Sequence, residues 1–141
     1  MFKNWFIWAL LSALFAGATA ILAKIGVSGV NPSLATAIRT TVVLVFTWGI
    51  ALATTSTASL HTLSKRTWIF LVLSGLATGL SWLCYFRALQ LGQASQVAPV
   101  DKLSVVFVII FAAIFLHEQL TWHHWVGGML IVSGAVILAF K

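Results

Sequence analysis

The sequence predicts an all-α integral membrane protein with five transmembrane helices. Three observations carry that fold class. Hydrophobic residues make up 61% of the chain and charged residues 7%, whereas a soluble domain carries about 25% charge, so this chain cannot cover a water-facing surface. Mean hydropathy is +1.07. The apolar residues fall into five runs within 141 residues, each near the roughly 20 residues that a helical span requires.

Span one runs from about Trp5 to Ala23. Lys3 ahead of it and Ala18-Thr19-Ala20 within it imitate a secretory signal and its cleavage site. Four further spans follow, so the first reads as an uncleaved span. Span two runs from about Pro32 to Ala53, and Asn31-Pro32 suits its start: asparagine caps and proline takes the first helical position. Span three runs from about Trp68 to Ala88, flanked by Lys65-Arg66 and ending near Arg87. Span four runs from about Val97 to Leu116 and span five from about Trp122 to Phe140. The longest connection is Thr54 to Thr67. In lipid only helices and closed barrels satisfy their backbone polar groups, and these runs lack the alternation of barrel strands. Trp5, Trp8, Trp68, Trp122 and Trp125 lie near span ends, as interfacial anchors do.

Small residues suggest helix contacts. Gly75 and Gly79 form a GxxxG pair on span three, and Ser12, Ala16 and Ala20 form a ladder on span one whose next position is Lys24. Such ladders let helix backbones approach closely; chance in a chain rich in glycine and alanine is the plain alternative.

Five spans put the termini on opposite sides. Lys3, Lys65 and Arg66 fall on one side; Lys24, Arg87 and Lys141 fall on the other, with Arg39 at shallow depth there. Orientation follows the excess of lysine and arginine in short loops. Three against three or four is almost no excess, so the chain is free to insert both ways.

The net charge of +6 comes from eight basic residues in scattered positions, which argues against nucleic-acid binding. Cys84 is the sole cysteine and forms no internal disulfide. Asn31-Pro32-Ser33 is excluded as a glycosylation site by its proline. His117-Glu118-Gln119-Leu120 departs from the zinc-binding HExxH pattern at Thr121, with His123 and His124 at the wrong spacing. No Ser/His/Asp set or phosphate-cradling glycine loop occurs, and the sequence predicts no enzyme, no metal and no cofactor.

Polar groups inside hydrocarbon are costly, about 2.5 to above 10 kcal/mol for a central charge, so their positions are informative. Lys24 and Arg87 sit at span ends, where long basic side chains snorkel. Arg39 lies deeper, about 10 Å along a helix that starts at Pro32, and is expected to face a cavity or a partner. Ser74, Thr78, Ser81 and Tyr85 recur at helical spacing on one face of span three, which suits either a cavity wall or packed, satisfied hydroxyls.

Span four raises the sharpest question. Its apolar part, Leu103 to Leu116, is 14 residues, about 21 Å of helix against a hydrocarbon core of about 30 Å. The span must borrow from the Val97 side, which brings Asp101 and Lys102 to membrane depth or its edge. Neighbouring helical residues point about 100° apart, so the two are not expected to pair with each other. Pro99 either removes a backbone bond or starts the helix proper, leaving a helix N-terminus or a loosened turn beside Asp101, where a positive dipole end favours the acid. Two readings stand: a capped helix start with an interfacial lysine, or the polar lining of a transport cavity.

Arg87-Ala88-Leu89 to Ala94-Ser95, Ala98-Pro99-Val100, Leu116-His117-Glu118-Gln119-Leu120 and the glycine-containing Gly127 to Gly134 follow one another in a recognisable order. In these segments the second half of the chain resembles the EamA-type unit of the drug/metabolite transporter superfamily. The first half fits through Trp5 to Trp8, Gly17, Lys24 and Arg39. The resemblance implies one EamA-type transmembrane domain over 1–141 and a carrier of small metabolites working by alternating access in a bacterial inner membrane. Most such relatives carry two units, and the Asp101-Lys102 pair, where a hydrophobic residue is usual, is this chain's own departure.

A second five-span unit fused to a first is inverted, because five is odd; a lone unit builds the same inverted repeat only by antiparallel pairing. The expected assembly is therefore an antiparallel homodimer, or a heterodimer with a similar unit. The leading function is a secondary transporter or exporter of small polar metabolites such as amino or organic acids. Substrate-binding or coupling residues would be Asp101, Lys102, Arg39, Lys24, Tyr85 and Ser81, with Pro99, Gly75, Gly79 and Glu118 structural. The alternative is a non-transporting or lipid-headgroup-flipping subunit that works with a partner unit.

Overall fold

The computed structural model describes residues 4–55 and 62–140, and every described element is helical. Lys3 and Lys141, which enter the charge count, lie outside the described residues. Six helices follow in order: α1 (Asn4–Gly26), α2 (Pro32–Thr54), α3 (Lys65–Leu91), α4 (Ala94–Asp101), α5 (Ser104–Phe115) and α6 (Trp122–Ala139). Five stretches are long and apolar enough to cross a membrane, because Ala94–Phe115, which contains α4 and α5, counts as one of them. The protein is a multi-pass integral membrane protein.

The helix starts follow local chemistry. Asn31 caps α2, accepting from the Ser33 N–H at 2.9 Å with Pro32 in the first turn, as the sequence predicts. Ser64 caps α3, accepting from the Thr67 N–H at 3.1 Å. Thr121 precedes α6 and donates its N–H to His124 Nδ1 at 3.0 Å. His117 ends α5 in the left-handed region, φ 54°, and the Glu118 N–H turns back to the Ala112 carbonyl at 3.1 Å, satisfying one of the carbonyls orphaned at a helix end.

Span four departs from the expected single helix. It begins at Ala94, so Pro99 sits inside α4 rather than at its mouth. Proline has no N–H and leaves the Ser95 carbonyl without its helical donor. The chain then tightens: Lys102 N–H is shared between Ala98 O at 3.3 Å and Pro99 O at 3.1 Å, and Leu103 N–H reaches Val100 O at 3.0 Å, so three-residue bonds take over from four-residue ones. Regular helix resumes at Ser104.

The chain forms two compact units. One takes residues 1–24 and 88–141; the other takes 25–87. In the first, Leu89, Ala20, Ala135 and Gly128 are buried. Here α6 packs against α4 and α5, and the Gln96 amide reaches the Ala139 carbonyl at 3.5 Å. In the second, Val27, Phe86 and Thr36 are buried. Most large apolar side chains are exposed on the single chain, as suits helices whose solvent is lipid. Trp5, Trp8, Trp68, Trp122 and Trp125 are among them.

Candidate functional site

Hydroxyl groups recur along one face of α2 at Thr36, Thr40, Thr47 and Thr54. Within residues 25–87 this helix and α3 flank an open groove of about 400 Å³. Thr40, Val43, Leu44 and Thr47 line it from α2. Ser74, Gly75, Thr78, Gly79 and Trp82 line it from α3. The volume falls within the roughly 300–1,000 Å³ usual for small-molecule sites.

The hydroxyls are anchored to their own helices. Thr40 donates to Thr36 O at 2.7 Å, Thr47 to Val43 O at 2.8 Å and Thr78 to Ser74 O at 2.9 Å. Thr36, Thr41 and Thr54 make the same bond away from the groove lining. This is how a threonine satisfies its proton in an apolar medium.

Arg39 stands at the Trp82 end of the groove. Its guanidinium carbon lies 4.4 Å from the centre of the Trp82 ring and 5.4 Å from that of Phe86. Both rings are on α3 and four residues apart, so they present one face to the cation, and Phe86 is buried. An aromatic face attracts a guanidinium without neutralising it. Tyr85 lies within electrostatic reach of Arg39. Of the hydroxyl stripe expected on span three, Ser74 and Thr78 line the groove, Tyr85 attends Arg39, and Ser81 is exposed outside the lining.

Gly75 and Gly79 have open space where a Cβ would stand. Within one chain no neighbouring backbone uses their lack of side chain, and what they give is room in the groove. Close approach occurs instead at Gly92, where a Cβ would lie 3.1 Å from Val97 Cγ2.

In the other unit, Lys24 directs its ammonium to two carbonyls at the end of α3, Leu89 O and Gly92 O, the latter at 2.7 Å. It thus supplies the cation that a helix C-terminus favours. Asp101 and Lys102 pair with each other, Nζ to Oδ2 at 3.3 Å. This corrects the expectation that adjacent residues do not pair. The 100° argument holds inside a continuous helix, whereas here the helix ends at Asp101 and the long lysine stem folds back. The dipole argument is corrected too: Asp101 closes the C-terminal end of α4, and α5 starts three residues on. The pair nevertheless falls within the 22-residue apolar stretch Ala94–Phe115, as the length count required. Glu118 is exposed in the link before α6.

Sequence reasoning missed Thr40, Thr47 and the aromatic partners of Arg39. The signal was present: threonines at 40, 47 and 54 repeat every second helical turn, and Trp82 and Phe86 share one face.

Five apolar spans that take up nearly all of the chain, with a few charges held inside them, define a multi-pass integral membrane protein. The chain belongs to the EamA-like transporter family, whose model matches residues 3–140. It is 52% identical over 139 residues to the "uncharacterized transporter in cobO 3'region" of a Sinorhizobium species, a match covering 99% of each chain. It is 33% identical over 69 residues to the probable 4-amino-4-deoxy-L-arabinose-phosphoundecaprenol flippase subunit ArnE of Aeromonas salmonicida, covering 49% of this chain and 60% of that one. The protein of the same name from an Enterobacter species is 32% identical over 79 residues, covering 55% and 74%. No solved structure matches significantly.

Proposed function

We propose that this chain is a secondary transporter of small polar metabolites, amino or organic acids, that works by alternating access as an antiparallel dimer in a bacterial inner membrane. The observation that carries the reading is the α2–α3 groove, of a size for a small solute, with a guanidinium at one end that is paired with no carboxylate among the described residues. A cationic end inside an apolar span favours a carboxylate. Family membership and the full-length similarity to a protein named as a transporter support the same class. Lys24 belongs to the frame that holds the end of α3. Asp101 and Lys102 are the coupling pair, placed where span four is broken; broken spans are where carriers gather their ion-handling groups.

One five-span unit is half of an inverted repeat, and the basic residues give little orientation bias. Two copies inserted oppositely complete the repeat. The test is counterflow of labelled amino and organic acids in proteoliposomes, with cysteines placed at each terminus for labelling from outside. Uptake of one solute class, lost in Arg39→Ala, with both termini labelled from both sides, is the expected result. Labelling of each terminus from one side only removes the dual-insertion part.

A second reading has its own support. The ArnE proteins that resemble about half of this chain are named as flippase subunits. On that reading the chain would work with a partner unit and move a lipid headgroup. Co-purification of a similar small membrane protein, with no solute uptake by the chain alone, would favour it.

A further inference from the structure

A threonine hydroxyl has one proton and two lone pairs. In the α2–α3 groove, Thr40, Thr47 and Thr78 have each given that proton to a carbonyl of their own helix. What they present to the groove is therefore lone pairs. Ser74 is the other lining hydroxyl, and its proton is not held by a bond of this kind. The rest of the lining named above is apolar or aromatic, so an unsatisfied polar group placed there is costly.

We propose that Thr40, Thr47 and Thr78 form an accepting wall that selects solutes bearing an ammonium group, so that the carried species is a zwitterion whose carboxylate faces Arg39. The inference rests on the transporter reading above and narrows it. A carboxylate is all acceptor and finds no donors along this wall beyond Ser74. An ammonium brings three donors and no acceptor, which matches lone pairs on both sides of the groove. A simple amine meets the Arg39 charge at the Trp82 end and is repelled. A zwitterion satisfies both ends at once. Gly75 and Gly79 leave the space between the two walls open.

The test uses the full chain in proteoliposomes and three matched pairs of solutes that differ only in the ammonium group: alanine and propionate, aspartate and succinate, glutamate and glutarate, with ethylamine as the bare cation. The wild-type protein is expected to take up the ammonium-bearing member of at least one pair about tenfold better than its partner, the ratio expected for one charge-assisted hydrogen bond. Ethylamine is expected to compete poorly. Thr40→Val, Thr47→Val and Thr78→Val should each raise KM for that solute by about tenfold. Thr→Ser at the same positions keeps the hydroxyl and should restore it. Equal uptake within every pair, preference for the deaminated partner, or a Thr→Val loss that serine does not rescue overturns the accepting wall and leaves the transporter reading standing. Uptake of no solute in the series overturns the transporter reading and the inference with it. The wild-type preference is read without any variant, so a substitution that fails to fold does not shelter the proposal.

Discussion

Residues 25–87 and the broken fourth span hold charge inside an apolar chain by opposite means. Arg39 lies over Trp82 and Phe86, and among the described residues no carboxylate is paired with it. Asp101 and Lys102 lie against each other and cancel. An aromatic face lowers the cost of a half-buried guanidinium such as Arg39 by about 0.5–2 kcal/mol while leaving its charge unspent. A neutral pair has no net charge to offer a ligand. On the proposed transport function the two regions would do different work: the first would attract an anionic group and the second would serve coupling.

Arg39→Ala attacks the first half of that comparison and carries the largest expected effect. It should lower kcat/KM for the carried solute by about a hundredfold, the upper range for a charged hydrogen bond in a desolvated place. Arg39→Lys keeps the charge but loses the flat face that stacks on the rings, and should fall between wild type and alanine. Unchanged uptake in Arg39→Ala would move the anion site away from the groove.

Lys24 tests whether every basic residue at depth is functional. Its ammonium is committed to the Leu89 and Gly92 carbonyls, and Leu89 is fully buried. Lys24→Met leaves the two acceptors unsatisfied and should cost about 1–3 kcal/mol of stability, read as a fall in Tm of the purified protein in detergent. Lys24→Arg keeps donors in reach and should lose less. Loss of transport in Lys24→Met without loss of stability would return Lys24 to the solute path.

The glycines separate the same two regions more gently. Gly92→Ala must push Val97 aside from 3.1 Å and should destabilise by about 1 kcal/mol, a small case of overpacking. Gly79→Ala meets nothing within 4 Å and, by helix propensity alone, should gain up to about 1 kcal/mol. If Gly79→Ala instead weakens the dimer on cross-linking, a second copy approaches α3 there.

Much of this architecture was legible because a span announces itself by length and apolarity alone. The five runs and the Asn31-Pro32 helix start needed nothing from the rest of the chain. The count of 14 apolar residues also forced Asp101 and Lys102 into span four. Pro99 makes a loosened turn beside Asp101 legible, but not that the helix ends there and lets Lys102 fold back, and the 100° argument that keeps the pair apart holds only in a continuous helix. The partners of Arg39 were hidden for another reason: Trp82 and Phe86 are on a different helix, and no periodicity within one span reports what crosses to it. Gly75 and Gly79 carried a pattern that usually means close packing, whereas the single chain uses it for space.

Asp101→Asn has the smallest expected effect on stability and the most to say about mechanism. The side chains of Lys102 and Asp101 are 58% and 36% exposed, and pairs this open contribute at most about 1 kcal/mol. Asparagine keeps the shape and can still accept from Lys102, so Tm should shift little. Transport should change more than stability does. With the acid neutral at every pH, a carrier that uses Asp101 to bind a proton loses the pH dependence of its uptake, while one that uses it only to hold Lys102 keeps that dependence. Swapping the pair, Asp101→Lys with Lys102→Asp, preserves the local charge balance and moves the acid by one position along the broken turn. Restored Tm with lost coupling would assign the position of the acid, not the charge balance, to the mechanism. Restored coupling would mean that the loosened turn tolerates the acid on either side, and that the break behind Pro99 supplies the device.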